Sequence, residues 1–186
     1  MLDTPKLLLD SFQAVIEAVN PKHFIKNHVP DEPKGRLIVV GAGKASALMA
    51  AAFEESYNGK IEGIVVTRYG YAVETRHIRI IEADHPVPDQ AGQKAAHEMI
   101  ALLQTANEDD LVICLISGGG SALLSAPVEG VSFEELQALN QQLLKCGAGI
   151  HEINTVRKHL NIALGGGLAQ AASQARMITL SISDVV

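Results

Sequence analysis

The stretch LVICLISGGGSALL (residues 111–124) decides the fold. Its opening run is continuously apolar up to Ser117, the texture of a strand buried on both faces. Three glycines then bare the backbone, and a serine opens a helical segment. Strand, glycine turn and helix form the repeating unit of a doubly wound sheet. The same unit recurs at RLIVV (Arg36–Val40), which runs through GAGKAS (Gly41–Ser46) into a small-residue helix, KASALMAAAFEE. IEGIVVT (Ile61–Thr67), HIRII (His77–Ile81) and ARMITLSIS (Ala175–Ser183) read as three further strands.

Between them the pattern changes to helical spacing. Thr4 as N-cap and Pro5 as first helical residue start one helix, with Leu8, Phe12, Val15, Ile16 and Val19 on one stripe and Pro21 ending it. Further helices are expected over Gln90–Thr105, Phe133–Lys145 and Asn154–Asn161, and in LAQAA after the glycines that begin at Gly165. Continuous apolar strands alternating with helices imply an α/β fold: a doubly wound, mostly parallel sheet with helices on both faces. The chain stops at SDVV, directly after a strand, where such a sheet ordinarily continues into a covering helix. A truncated chain is therefore expected.

Composition narrows the function classes. The 186 residues suit one domain, or one and part of another. With 47% hydrophobic and 19% charged residues, the chain is globular and not disordered. No apolar run reaches the roughly 18 residues that span a bilayer, and MLDTPKLLLD lacks the basic start and cleavage site of a signal peptide. Two cysteines are too few for a disulfide framework; Cys114 packs as a small hydrophobe, and a reducing cytoplasm is the plain reading. A net charge of −6, no tryptophan and 4% aromatics argue against nucleic acid and membrane partners.

In open α/β sheets ligands collect beyond the carboxyl ends of the strands. GAGKAS and SGGGSA (Ser117–Ala122) both lie there, and each leads into a helix N-terminus that favours anions. Glycine lets a phosphate or carboxylate approach the backbone closely. Walker A is absent, since Ile38 stands at the first glycine position and Ala45 follows Lys44. The dinucleotide fingerprint has Gly41 and Gly43 but Ser46 in third place, and no acid ends the second strand at Thr67. The nucleophile elbow fails at Leu123.

Lys44 admits two readings. It is a solvated lysine in a helix's first turn, or a cation placed to meet the same anion as the backbone; the helix dipole opposes it unless an anion compensates. Asn154, Arg157 or Lys158, and Asn161 fall three or four apart, either an ordinary solvated face or a polar, cationic one suited to a polyhydroxylated acid or phosphate. His85 reads as a capped loop residue, and Arg68 and Tyr69 either line the crevice or belong to a loop. Asp184 stands where a magnesium ligand usually sits, or caps a following helix.

Taken together, GAGKA (Gly41–Ala45), VTRYGY (Val66–Tyr71), DHPVPD (Asp84–Asp89), SGGGSALL (Ser117–Leu124), NTVRKHL (Asn154–Leu160) and SDV (Ser183–Val185) resemble, in order, the N-terminal domain of the glycerate 2-kinases. These enzymes carry a C-terminal MOFRL domain, and relatives are often labelled hydroxypyruvate reductases. The similarity spans roughly residues 5 to 186, and SGGGSALL followed by NTVRKHL is its most specific part.

The resemblance implies a Rossmann-like N-terminal domain over residues 1–186 and ATP- and Mg2+-dependent phosphorylation of the 2-hydroxyl of glycerate or a related hydroxy acid. By motif, Lys44, preceded by Gly43, would stabilise the transferring phosphoryl group. Ser117, Gly118, Gly119, Gly120 and Ser121 would cradle phosphate. Asn154, Arg157 and Lys158 would bind substrate or phosphate, and Asp184 would act near the metal or the reacting hydroxyl. Such chemistry rests on positioning and charge neutralisation.

Three positions depart from the family pattern. Asn161 replaces a serine, Leu164 a lysine and Gly167 an arginine, so two positive charges are missing. The MOFRL half is absent as well, so little or no activity is expected of this polypeptide alone, and an exposed edge would favour association, a homo-oligomer among the outcomes, or poor solubility. Two rival readings stand beside the kinase: an NAD(P)H-dependent hydroxypyruvate reductase, against which the incomplete fingerprint speaks, and a non-catalytic fragment that binds a phosphorylated metabolite.

Overall fold

Residues 3–183 are described by a computed structural model. Five strands form one sheet: β1 (Leu37–Ala42), β2 (Ile61–Arg68), β3 (Ile78–Ala83), β4 (Leu111–Ile116) and β5 (Arg176–Ser181). All neighbours are parallel, in the order β3-β2-β1-β4-β5. The α/β reading is met, with every pairing among the described strands parallel.

The helices are α1 (Thr4–Ala18), α2 (Ser46–Ser56), α3 (Gln90–Gln104), α4 (Gly120–Leu123), α5 (Phe133–Lys145), α6 (Ile150–His159) and α7 (Gly167–Ala171). Successive strand residues point to opposite faces, and the two faces of β1 and β4 found two cores. Ile38, Val40, Val112 and Cys114 pack beneath Ala95, Met99 and Leu103 of α3 with Leu123 and Leu168. Leu37, Val39, Ile113 and Leu115 pack against Met49, Ala50 and Phe53 of α2 and against Ile25. Each large side chain so buried contributes about 1.5–3 kcal/mol. Cys114 is a small core group, its thiol pushed up to about 11 by burial.

Local expectations change at α1 and β1. The cap of α1 is Asp3, whose side chain accepts from the Lys6 amide at 3.3 Å, so Thr4 and Pro5 are both inside the helix. The apolar stripe of α1 forms as expected but contacts no core: Leu8, Phe12, Val15 and Val19 are more than half exposed. β1 also runs two residues beyond Val40, because Gly41 and Ala42 remain paired to β2 on one side and to β4 on the other. No helix among the described residues is long and apolar enough to cross a membrane.

Candidate active site

β1 and β4 lie side by side at the centre of the sheet. The chain leaving β1 returns as β2 on one side, and the chain leaving β4 returns as β5 on the other. Their carboxyl ends therefore form the switch point at which open α/β sheets bind ligands. Register brings Ala42 opposite Ile116, so the GAGKAS and SGGGSA turns emerge together.

The two turns are tied to each other. The Ser117 amide donates to the Ala42 carbonyl at 3.2 Å, and the Lys44 amide donates to the Gly118 carbonyl at 3.0 Å. Ser117 Oγ accepts from the Ala45 amide at 2.9 Å and shares a 3.0 Å hydrogen bond with Ser46 Oγ. Position 43 admits no side chain, since a Cβ there would stand 2.1 Å from Ser117 Oγ. Ser117 is thus buried in the frame of the site, its oxygen engaged on protein partners. Gly118, Gly119 and Ser121 are half-buried around it.

Gly119 adopts φ 91°, a left-handed conformation that a side chain would strain. Its α-carbon is also overhung: a Cβ there would meet His85 Nε2 and Cδ2 at 3.0 Å and Lys44 Cγ at 3.5 Å. The third glycine of the SGGGSA turn, Gly120, would place a Cβ 2.8 Å from the Ala42 carbonyl. Close packing of the turns thus requires part of the glycine run, with or without a ligand.

Above the turns lies a cationic rim. Lys44 is exposed on a strand-to-helix turn, and among the described residues its ammonium has no ion-pair partner. Neither α2 nor α4 has a side-chain N-cap; the Ser46 amide donates instead to the Gly43 carbonyl at 3.2 Å and the Gly120 amide to the Ser117 carbonyl at 3.3 Å. Burial, then Lys44, Arg68 and Arg157, hold the His85 imidazole below its ordinary value, with Asp84 opposing. Arg68 itself stacks over the Tyr71 ring at 5.5 Å.

Arg157 approaches from α6 and is only 7% exposed. Its Nε donates to Asn140 Oδ1 at 2.7 Å, and Asn140 Nδ2 donates to the Leu136 carbonyl at 2.8 Å. Nη2 of the guanidinium is buried with no hydrogen-bond partner, and burial lowers its affinity for a proton. Asn154 and Lys158, on the same helix, are exposed. The expected shared face with Asn161 does not form, because α6 ends at His159. Asn161 is buried instead, donating to the Leu124 carbonyl at 2.6 Å and accepting from the Ala163 amide at 2.9 Å. It clamps the end of the glycine-turn helix to the loop that follows α6.

A crevice of about 430 Å³ opens between the SGGGSA turn and residues 163–169, large enough for a small molecule. Leu164 lines it; Gly167 is pressed so closely on the Ile162 carbonyl that a Cβ there would lie 1.7 Å away. An arginine does not fit this backbone at position 167. Among the described residues no three His, Cys, Asp or Glu side chains converge as for a metal ion. Asp184 lies outside the described residues. Asn140 and the setting of His85 are what the sequence reading passed over. The available signal was an asparagine inside α5, where that residue is a weak helix former.

Fold and site define a doubly wound α/β domain with a cationic rim at its switch point. Residues 7–186 match the family described as Domain of unknown function (DUF4147), and the chain belongs to that family. It is 45% identical over 179 residues to the glycerate 2-kinase of Pyrococcus horikoshii, covering 95% of this chain and 40% of that one. An Agrobacterium vitis protein bearing a hydroxypyruvate reductase name is 51% identical over 175 residues, covering 94% and 40%. The crystal structure of a Thermotoga maritima glycerate kinase superposes with a TM-score of 0.85 at 44% identity, covering 97% of this chain and 44% of that chain. The chain thus spans about two fifths of the length of the relatives it matches.

Proposed function

We propose that this chain is the phosphate-binding part of an enzyme that transfers a phosphoryl group from ATP to the 2-hydroxyl of glycerate. The observation that carries the reading is the unpaired Lys44 ammonium beside two interlocked glycine turns, together with a buried Arg157 whose Nη2 lacks a partner and whose charge acts on the same His85. Phosphoryl transfer asks for positioned cations and backbone donors more than for a nucleophile. Lys44 would follow the charge on the transferring group, the turn amides of Gly119 and Ser121 would hold phosphate oxygens, and Arg157 would hold a carboxylate or phosphate. Exposed Asn154 and Lys158 would meet the far side of the substrate.

The described groups at the turns are cationic or neutral, so they fit a triphosphate and not a bare cation. Magnesium would arrive on the nucleotide's own phosphates, where it neutralises charge; Asp184 remains the carboxylate proposed to help hold it. Cytoplasmic placement and small-molecule partners follow from the same reading.

The reductase reading is less favoured by the same turns. Ser46, in place of the third fingerprint glycine, is fully buried and bonded to Ser117, and β2 closes in Arg68 without a ribose-binding acid. The test is to join this chain to the remainder of the Thermotoga relative and run two assays. Transfer from ATP to glycerate without NADH oxidation by hydroxypyruvate supports the kinase. NADH oxidation without transfer overturns it, and tight phosphate binding with neither activity leaves a non-catalytic binding module.

A further inference from the structure

The loop 84–89, between β3 and α3, is braced from three sides. Tyr69 Oη, beyond β2, donates to Asp89 Oδ2 at 2.7 Å. Asp89 Oδ1 caps α3 by accepting from the Gly92 amide at 2.9 Å. Gln137 Nε2, from α5, donates to the Pro88 carbonyl at 2.6 Å. The bracing fixes His85 with its Nε2 edge against the bare face of Gly119, beside the Lys44 stem.

We propose that His85 is the proton acceptor of this site, taking up a proton when a phosphorylated hydroxy acid binds at the glycine turn and, during transfer, the proton that the acceptor hydroxyl loses. The proposal deepens the phosphotransferase reading and rests on it. The charged groups facing the imidazole are Lys44 after β1, Arg68 at the end of β2, Arg157 of α6 and the loop's own Asp84. One Asp84 oxygen is already engaged by the His85 amide at 2.7 Å. With cations in excess and the ring half-buried, the free imidazole is neutral at neutral pH and keeps a lone pair for a proton. The dianion of the phosphorylated acid, the product of transfer, offsets those cations and makes the imidazolium favourable in the product complex, the state in which the ring has taken the hydroxyl proton.

In the reaction, the hydroxyl oxygen of the acceptor forms the new bond to the γ-phosphorus. The bond from that phosphorus to the bridging oxygen breaks, and its electron pair leaves with the nucleoside diphosphate. The hydroxyl proton passes to His85 and from there to water.

Calorimetric titration of the 186-residue chain with 2-phosphoglycerate, in buffers of different ionisation enthalpy near neutral pH, counts the protons exchanged on binding. The ligand's own ionisation is common to wild type and His85→Gln, so their difference isolates His85. Wild type is expected to take up roughly half a proton or more in excess of His85→Gln, with affinity falling up to about tenfold per pH unit more steeply above neutrality. The His85 ring resonance, followed by NMR in the wild type, is expected to titrate higher with ligand than without, which holds the test even if His85→Gln misfolds. Binding with equal proton uptake and an unmoved resonance overturns the His85 proposal and leaves the phosphate site standing. No binding of 2-phosphoglycerate at all contradicts the phosphate site itself, and His85's role with it.

Discussion

Arg157 reaches Asn140 across the α5–α6 pair, its Nε donating at 2.7 Å, while Nη2 of the same guanidinium is buried without a partner. A buried cation with an unsatisfied donor costs about 1–3 kcal/mol, a cost that a bound oxyanion would relieve. Arg157→Met removes that cost but strands the buried Asn140 Oδ1, so the two effects largely offset and stability is expected to change by no more than about 1–2 kcal/mol. The same substitution is expected to abolish the rise in melting temperature that phosphate gives wild type. Denaturant titration with and without phosphate checks both halves; a large destabilisation without ligand would show Arg157 to be structural.

Asn140 is the positioning partner in that account. Asn140→Leu strands the Arg157 Nε and is expected to cost about 1–3 kcal/mol, whereas Asn140→Asp keeps an acceptor and is expected to preserve both stability and phosphate binding. Equal losses from the two substitutions would assign Asn140 to helix packing alone.

Lys44 is exposed and stands at the start of α2, where the helix dipole opposes a cation. Lys44→Ala is expected to change stability by no more than about 0.5 kcal/mol. Affinity for 2-phosphoglycerate is expected to drop about tenfold or more, the weight of one charge-assisted contact. Unchanged affinity, measured by calorimetry, would return Lys44 to the solvated-lysine reading.

The φ of 91° at Gly119, with His85 Nε2 3.0 Å from a would-be Cβ, makes Gly119→Ala a test of the turn itself. About 1–2 kcal/mol of backbone strain is expected, together with displacement of the His85 ring and loss of phosphate binding. A stable Gly119→Ala protein that still binds phosphate would mean the turn is not the cradle.

Acid stability reports two carboxylates far from the site. Burial pushes the Asp110 carboxyl up, but hydrogen bonds from the Arg36 side chain and amide and from the Asn107 amide outweigh it, and the net direction is down. Glu54 is likewise lowered against its burial by the amides of Arg76, His77 and Ile78. Folded values below unfolded ones add stability that is complete above the ordinary carboxylate range, about pH 4, and is lost as pH falls through the folded values. Asp110→Asn is expected to be less stable than wild type at neutral pH and to converge with it in strong acid. Parallel curves across that window would contradict the assignment.

The sheet was legible because a strand buried on both faces leaves an unbroken apolar run, as in LVICLI, too short for a helix and bounded by Asp110 and the glycine turn. What ends a strand is less visible: Gly41 and Ala42 stay in β1 through pairing with Val65 and Leu115 and their neighbours, residues far off in the chain. The glycine turns and Lys44 were legible as local chemistry. His85 was not, because its meaning comes from Gly119, Tyr69 and Gln137, which only the fold brings near it. The family's missing arginine at position 167 finds its physical counterpart in the Ile162 carbonyl, 1.7 Å from where a Cβ would sit. Asn161, read as a lost serine on a ligand face, serves as a clamp between two loops.

The most direct measurement follows the phosphorus. This chain, joined to the remainder of the Thermotoga relative, is incubated with ATP and glycerate and read by phosphorus NMR, with Lys44→Ala alongside. The wild-type fusion is expected to yield 2-phosphoglycerate and ADP, and Lys44→Ala neither. A folded fusion that binds ATP but yields no phosphoglycerate, or a Lys44→Ala fusion that yields it at the wild-type rate, would contradict the phosphotransferase reading.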